Sequence, residues 1–362
     1  MTPLPAADAF HKCLEENSPR VISQGRYVPV YRGRLDLAEV QQADLRSLLG
    51  TIQKVMNEAL AARKRVPDHI DDLPMYFDYI DSDFPSATAF RDDNNYAFIG
   101  ITLPMIYDLG DICVRLSQAE SIAKILSIET TAELRDGLHA VLFNHLLSFI
   151  VTHEFTHHVH GHVLTHQSES TFFSEFTNGN NGANLDRQAE EADADGYAAY
   201  HILANFIDTD ARRNISAVLK LDSVSPNALD QAVFSCFVIV AGAFLFSRPP
   251  CDISKENIYT LTHPPQAARL DYLMRHSINW CKENRPALVE WMTNERFQSI
   301  MRAVAEATWG MNGGVNWDSQ TVFLRSDEGT TYFQDLSKRI DAQKAALGAE
   351  GRKEPPSTNA DT

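Results

Sequence analysis

Apolar residues recur at three- and four-residue steps over most of this 362-residue chain. That spacing gathers them on one face of a helix. The first such stripe runs over 35–65 through Leu37, Val40, Leu45, Leu48, Leu49, Ile52, Val55, Met56 and Leu60, with Pro67 to end it. A second predicts a helix over 112–128 and a third over 131–166. In the third, Leu134, Leu138, Val141, Leu142, His145, Leu146, Phe149 and Ile150 form a wide apolar face. Helices are also expected over 188–205, 211–221, Pro226–Phe246, 262–273, 284–308 and 333–347. Extended runs are fewer. Residues 87–90 and 96–102 are short extended runs that predict a hairpin or paired strands, and Asp92-Asp93-Asn94-Asn95 between them supplies turn chemistry. Pro104 suits the first turn of the next helix. Residues 1–35 read as an irregular lead-in and the acidic, aromatic 66–85 as a loop. The polar 167–187, rich in Asn and Gly, reads as a long loop that can serve as a lid. The expected class is therefore α+β, mainly α with a small β-sheet.

Composition narrows this picture. Hydrophobic residues make up 44% and charged residues 22%, as in globular proteins. The formal net charge of −16 argues against a nucleic-acid partner, whose phosphates call for a basic face. Five cysteines at wide spacings, with no CxxC, fit a reduced cytoplasmic protein better than a disulfide framework. The N-terminus carries early acids and no apolar core of a signal peptide. Residues 232–246 contain no charge, but a spanning helix needs about 20 such residues, so this run is expected to be a core helix.

The chemistry lies at the end of the third stripe, in FIVTHEFTHHVHGHVLTH. His153 and His157 are four apart, hence on one helix face a turn apart, and can offer nitrogens to one metal ion. Glu154 stands beside them as a candidate general base for a metal-activated water. Such a site needs a third protein ligand and one open position. A third histidine in HExxHxxGxxH spacing is absent, because His160 and Val163 occupy the diagnostic positions. Downstream, EADADGYA over 191–198 offers Glu191 as ligand, with Asp195 on the same helix face to hydrogen-bond a ligand imidazole. Glu190 and Asp193 compete locally. His158, His160, His162 and His166 are expected at the surface or behind the ligands.

HEFTHHVHGH (153–162), EADADGYA (191–198), THPPQAARLDYL (262–273) and, more loosely, SATAFRDDNNYAFIGITLPMI (86–106) together resemble the HtpX and CAAX-prenyl-protease-like zinc metalloendopeptidases, a branch of the gluzincins. A more distant resemblance is to Lit-type phage-exclusion peptidases. The first resemblance implies a zincin-like core with an active-site helix and an edge strand. It implies one Zn²⁺ per chain held by His153, His157 and Glu191, and hydrolysis of a protein or peptide substrate. It also points to His263 or Arg269 as the donor to a developing oxyanion, with His263 alternatively a removable fourth ligand. Tyr96, Ala97, Phe98 and Ile99 would form the edge strand to which an extended substrate adds. The matching domain plan is a helical lead-in over 1–85, a metallopeptidase core over 86–275, a helical extension over 276–345 and a disordered tail over 346–362. The alternative is a silent or latent relative acting as a regulatory, binding or phage-defence protein.

Overall fold

The computed structural model describes residues 5–23, 26–62, 73–92, 96–165, 172–174, 185–208, 210–246, 253–254, 257–261, 263–308 and 317–348. In chain order these form α1 (Ala6–Asn17), β1 (Arg20–Ser23), β2 (Arg26–Pro29), α2 (Ala43–Ala62), β3 (Met75–Ile80), β4 (Ala87–Arg91), β5 (Ala97–Thr102), α3 (Leu103–Gln118), α4 (Glu120–Leu126), α5 (Ala132–Val159), α6 (His162–Thr165) and β6 (Phe172–Ser174). There follow α7 (Leu185–Asp208), α8 (Asp210–Val218), α9 (Pro226–Phe246), α10 (Gln266–Asn284), α11 (Pro286–Trp291), α12 (Asn294–Thr308), α13 (Trp317–Leu324) and α14 (Asp327–Gly348). The fold is α+β and mainly α, as the periodicity implies. Most of the lid candidate, the Gly/Asn-rich 309–316 and the tail from 349 lie outside the described residues.

The chain divides into two compact units, 1–105 with 154–178 and 337–362, and 106–153 with 179–336. The first holds a four-stranded sheet in the order β3-β5-β4-β6, with β3 parallel to β5 and the other pairs antiparallel. Phe10 of α1 seals it, its ring 5.1 Å from Phe90 and 5.5 Å from Phe98. Two expectations are corrected here. The acidic, aromatic 66–85, expected to be a loop, contains β3. Its Asp78 is fully buried and is satisfied by Arg34, Gln53, Tyr76 and the Tyr79 amide, so the acid does not forbid a strand. The second correction concerns the edge. β5 is interior, paired on both sides, and every residue from Ala97 to Thr102 is buried. A continuous apolar run such as AFIGIT marks a strand covered on both faces, and its place is the middle of a sheet. Tyr96, Ala97, Phe98 and Ile99 therefore present no free edge to a substrate. The outer edges belong to β3 and β6. Asn57 of α2 covers part of β3 by exchanging two hydrogen bonds of 2.9 Å with the Phe77 backbone.

The second unit is helical. α9 is long and apolar enough to cross a membrane by length and composition, yet 89% of its most apolar window is buried. Within this unit it packs against α7, α8, α10, α11, α12 and α4, as a core helix does. The predicted helix over 112–128 is divided between α3 and α4, and the one over 131–166 stops at Val159. Gly161 explains that stop: its φ of +67° is a left-handed conformation that ends a helix at little cost.

Candidate metal centre

α5 carries the central motif as a single continuous helix that belongs to both units. Its apolar stripe is buried through Leu146, Phe149 and Ile150, which fixes the rotation of the helix and aims His153 inward. In the helical unit, His153 Nδ1 lies 3.0 Å from Asp195 Oδ1, and its Nε2 lies 3.3 Å from Glu191 Oε2. Both carboxylates come from α7, one turn apart on one face. Asp195 is in turn gripped by Arg269 of α10, whose Nε and Nη2 donate to its two oxygens at 2.7 and 2.8 Å. Gly196 permits the close approach of α7 and α10, since a Cβ there would stand 2.9 Å from the His276 ring.

His157 follows one turn after His153 on α5. The turn at Gly161 brings His162 back, so that the Nδ1 atoms of His157 and His162 lie 3.0 Å apart. Both histidines thus have Nδ1 engaged, by Asp195 in one case and His162 in the other. With Nδ1 donating, each leaves Nε2 as the electron-pair donor. Ligand atoms of His153, His157 and Glu191 all lie within 4.8 Å of one another, the arrangement expected of groups that converge on one cation. His158 points away, its Nε2 2.8 Å from the Phe98 carbonyl oxygen, and ties the end of α5 to β5.

Electrostatics agree with a cation here. Burial works to lower the His153 pKa, but hydrogen bonds to Asp195 and Glu191, and their charges, outweigh it and carry the value up to about 9. The two carboxylates thus favour a positive charge at His153. For Asp195, burial works to raise the pKa. The charge and hydrogen bonds of Arg269, with the hydrogen bond of His153, win and hold the carboxyl below its ordinary range.

Glu154 is 1% exposed and Glu191 2% exposed, so both carboxylates are shielded from bulk water. His263 Nε2 lies 3.6 Å from Glu191 Oε1, but the set closing within 4.8 Å does not include it. Arg269, a candidate oxyanion donor on sequence grounds, is placed behind His153 with two of its nitrogens committed to Asp195. His162 is the residue whose placement sequence reasoning left open. Its spacing of five from His157, beyond a glycine that ends the helix, is the available signal.

Residues 127–288 match the family model described as Peptidase U49, a peptidase family. The match indicates a peptidase without singling out the HtpX and CAAX-prenyl-protease-like group. Neither the curated proteins nor the solved structures yield a match.

Proposed function

We propose that the protein is a zinc-dependent endopeptidase that cleaves peptide bonds of a protein substrate, with Glu154 as general base. The carrying observation is the convergent donor set of His153, His157 and Glu191, with both imidazoles oriented through Nδ1. Two imidazoles and a carboxylate suit Zn²⁺, which in such a site polarises the scissile carbonyl and lowers the pKa of water toward neutrality. Glu154 would take the proton of the attacking water and return it to the leaving amine. Asp195 would hold His153 in its Nδ1–H tautomer, and Arg269 would hold Asp195. His263, beside Glu191, would donate to the carbonyl oxygen as negative charge develops there.

An extended substrate would add to the sheet by main-chain hydrogen bonds. With β5 interior, the strand suited to this is β4. β6 pairs with it through Thr88↔Ser174, Ala89↔Phe173 and Phe90↔Phe172, so substrate and β6 would compete for one edge. The wide cysteine spacing, with no CxxC, is the support for a cytoplasmic setting. A second reading makes His263 a permanent fourth ligand and the protein a silent metal-binding relative. The 3.6 Å separation from Glu191 is its support.

The test is metal content together with peptide cleavage for the wild type and Glu154→Gln. One zinc per chain in both, with cleavage lost in the variant, is expected. Cleavage that survives the substitution refutes the general-base assignment. Stoichiometric zinc with no cleavage by the wild type across varied substrates refutes the peptidase reading, and recovery of cleavage in His263→Ala supports the closed-site alternative.

A further inference from the structure

The loop that delivers His263 is held on both sides by side chains remote in sequence. Gln188 stands on α7 one turn before Glu191 and is fully buried. Its Nε2 donates to the carbonyl oxygens of Ile258 and Leu261 at 2.8 and 2.9 Å. Its Oε1 accepts a 2.6 Å hydrogen bond from Tyr332 Oη of α14, also fully buried. This one amide therefore has both donor hydrogens and its acceptor engaged. Tyr259, between the two anchored carbonyls, donates to Asp335 at 3.1 Å, and its ring meets Tyr332 edge-on at 5.8 Å. On the other side of His263, α10 begins at Gln266 with no side-chain cap from Pro265. Gln320 of α13 takes that role, accepting from the Ala267 amide at 3.1 Å and donating to the Gln266 side chain at 3.0 Å.

The chain from Ile258 to Ala267 is thus pinned at Ile258, Leu261 and Ala267, with His263 between the last two pins. All of these groups lie in the helical unit. The pins come from the metal-ligand helix α7 and from α13 and α14, which lie beyond the residues matched to the peptidase family. Buried amide and phenol groups this remote in sequence are costly unless paired, so their pairing fixes the loop strongly.

We infer that Gln188 and Tyr332 are positioning residues that set His263 beside the metal ligand Glu191, and that the C-terminal helices are thereby part of the active-site scaffold. The inference rests on the proposed role of His263 in peptide hydrolysis. Gln188 shares the α7 backbone with Glu191, so ligand and oxyanion donor are referenced to one helix. A displacement of about 1 Å at such a donor costs up to about a hundredfold in rate. Tyr332→Phe removes one hydroxyl and keeps the ring against Tyr259, which isolates the hydrogen bond to Gln188.

The experiment compares wild type, Tyr332→Phe, His263→Ala and the double variant. Amide exchange at 258–261, measured on metal-free protein, is expected to quicken by about tenfold or more in Tyr332→Phe, with α9 and α12 unchanged. In the zinc-loaded protein, kcat is expected to fall by roughly ten- to a hundredfold with KM and zinc content unchanged. The double variant is expected to be no slower than His263→Ala alone, because the hydroxyl acts through that histidine. Unchanged exchange, unchanged kcat in Tyr332→Phe, or additive losses in the double variant overturn the inference. If His263→Ala itself leaves kcat intact, the oxyanion role fails instead, while the exchange result still reports whether the clamp holds the loop.

Discussion

Asp195→Asn separates metal-site support from simple packing. Asp195 is fully buried and accepts from three donors, at 2.7 and 2.8 Å from Arg269 and 3.0 Å from His153. Asparagine has the same shape but one acceptor oxygen and an amide that can only donate. At least one of the three donors must then face another donor, and Arg269, 3% exposed, loses its countercharge. Breaking a buried pair from one side costs about 3–5 kcal/mol of stability. His153 loses the acceptor that sets its tautomer, so metal affinity is expected to fall roughly 10–100-fold, or about 1.4–2.8 kcal/mol. Denaturant unfolding of the metal-free protein measures the first quantity, and competition against a chromophoric chelator measures the second. Asp271→Asn is the control. Its pair with Arg275 is 44% and 69% exposed, so well under about 1 kcal/mol is at stake and the metal site is untouched. A folded Asp195→Asn protein whose metal affinity is within twofold of wild type refutes the role assigned to this carboxylate.

Three further outcomes follow from the same structure. His145 is buried against Phe206, rings 3.9 Å apart, and donates through Nδ1 to the Val141 carbonyl; burial, only partly offset by that bond, lowers its pKa from 6.5 to about 4. The unfolded chain therefore binds a proton that the folded chain refuses, and stability falls as pH drops from about 6.5 to 4, by about 3 kcal/mol in total. Denaturant midpoints across that range are expected to flatten in His145→Leu, and an unchanged acid limb contradicts the assignment. Gly196→Ala forces α7 from α10 at the His276 ring and is expected to destabilise by about 1–2 kcal/mol, overpacking outweighing the better helix propensity of alanine; metal affinity is expected to drop with it, and a neutral thermal shift is the contrary result. Deleting residues 172–174 vacates the outer edge of β4 and is expected to raise kcat/KM for extended peptides, whereas unchanged cleavage of such peptides speaks against strand addition at that edge.

What the sequence revealed and what it hid divide along a physical line. His153 and His157 are four apart on a helix whose apolar stripe is local, so spacing alone puts them on one face. Glu191 and Asp195 repeat that logic on α7, but only the structure shows which carboxylate faces which nitrogen of His153. The strand errors are of another kind. β3 was obscured by Asp78, whose partners Arg34 and Gln53 are 44 and 25 positions away. The resemblance implies an edge position for β5, whereas its unbroken apolar run points to the middle of the sheet. Arg269 is one of two oxyanion-donor candidates that the resemblance offers, and proximity to a motif does not give direction; its partner Asp195 lies 74 positions away. The clamp on the His263 loop is the extreme case, with Tyr332 and Gln188 separated by 144 positions. Even so, half of it left a trace. Gln188, Glu191 and Asp195 fall at i, i+3 and i+7, where a helix against a core ordinarily shows apolar residues. A polar stripe on a buried face obliges each member to find a partner. That pattern marks Gln188 as a buried polar residue that needs a partner; the identity of that partner depends on how distant helices pack, which no local spacing encodes.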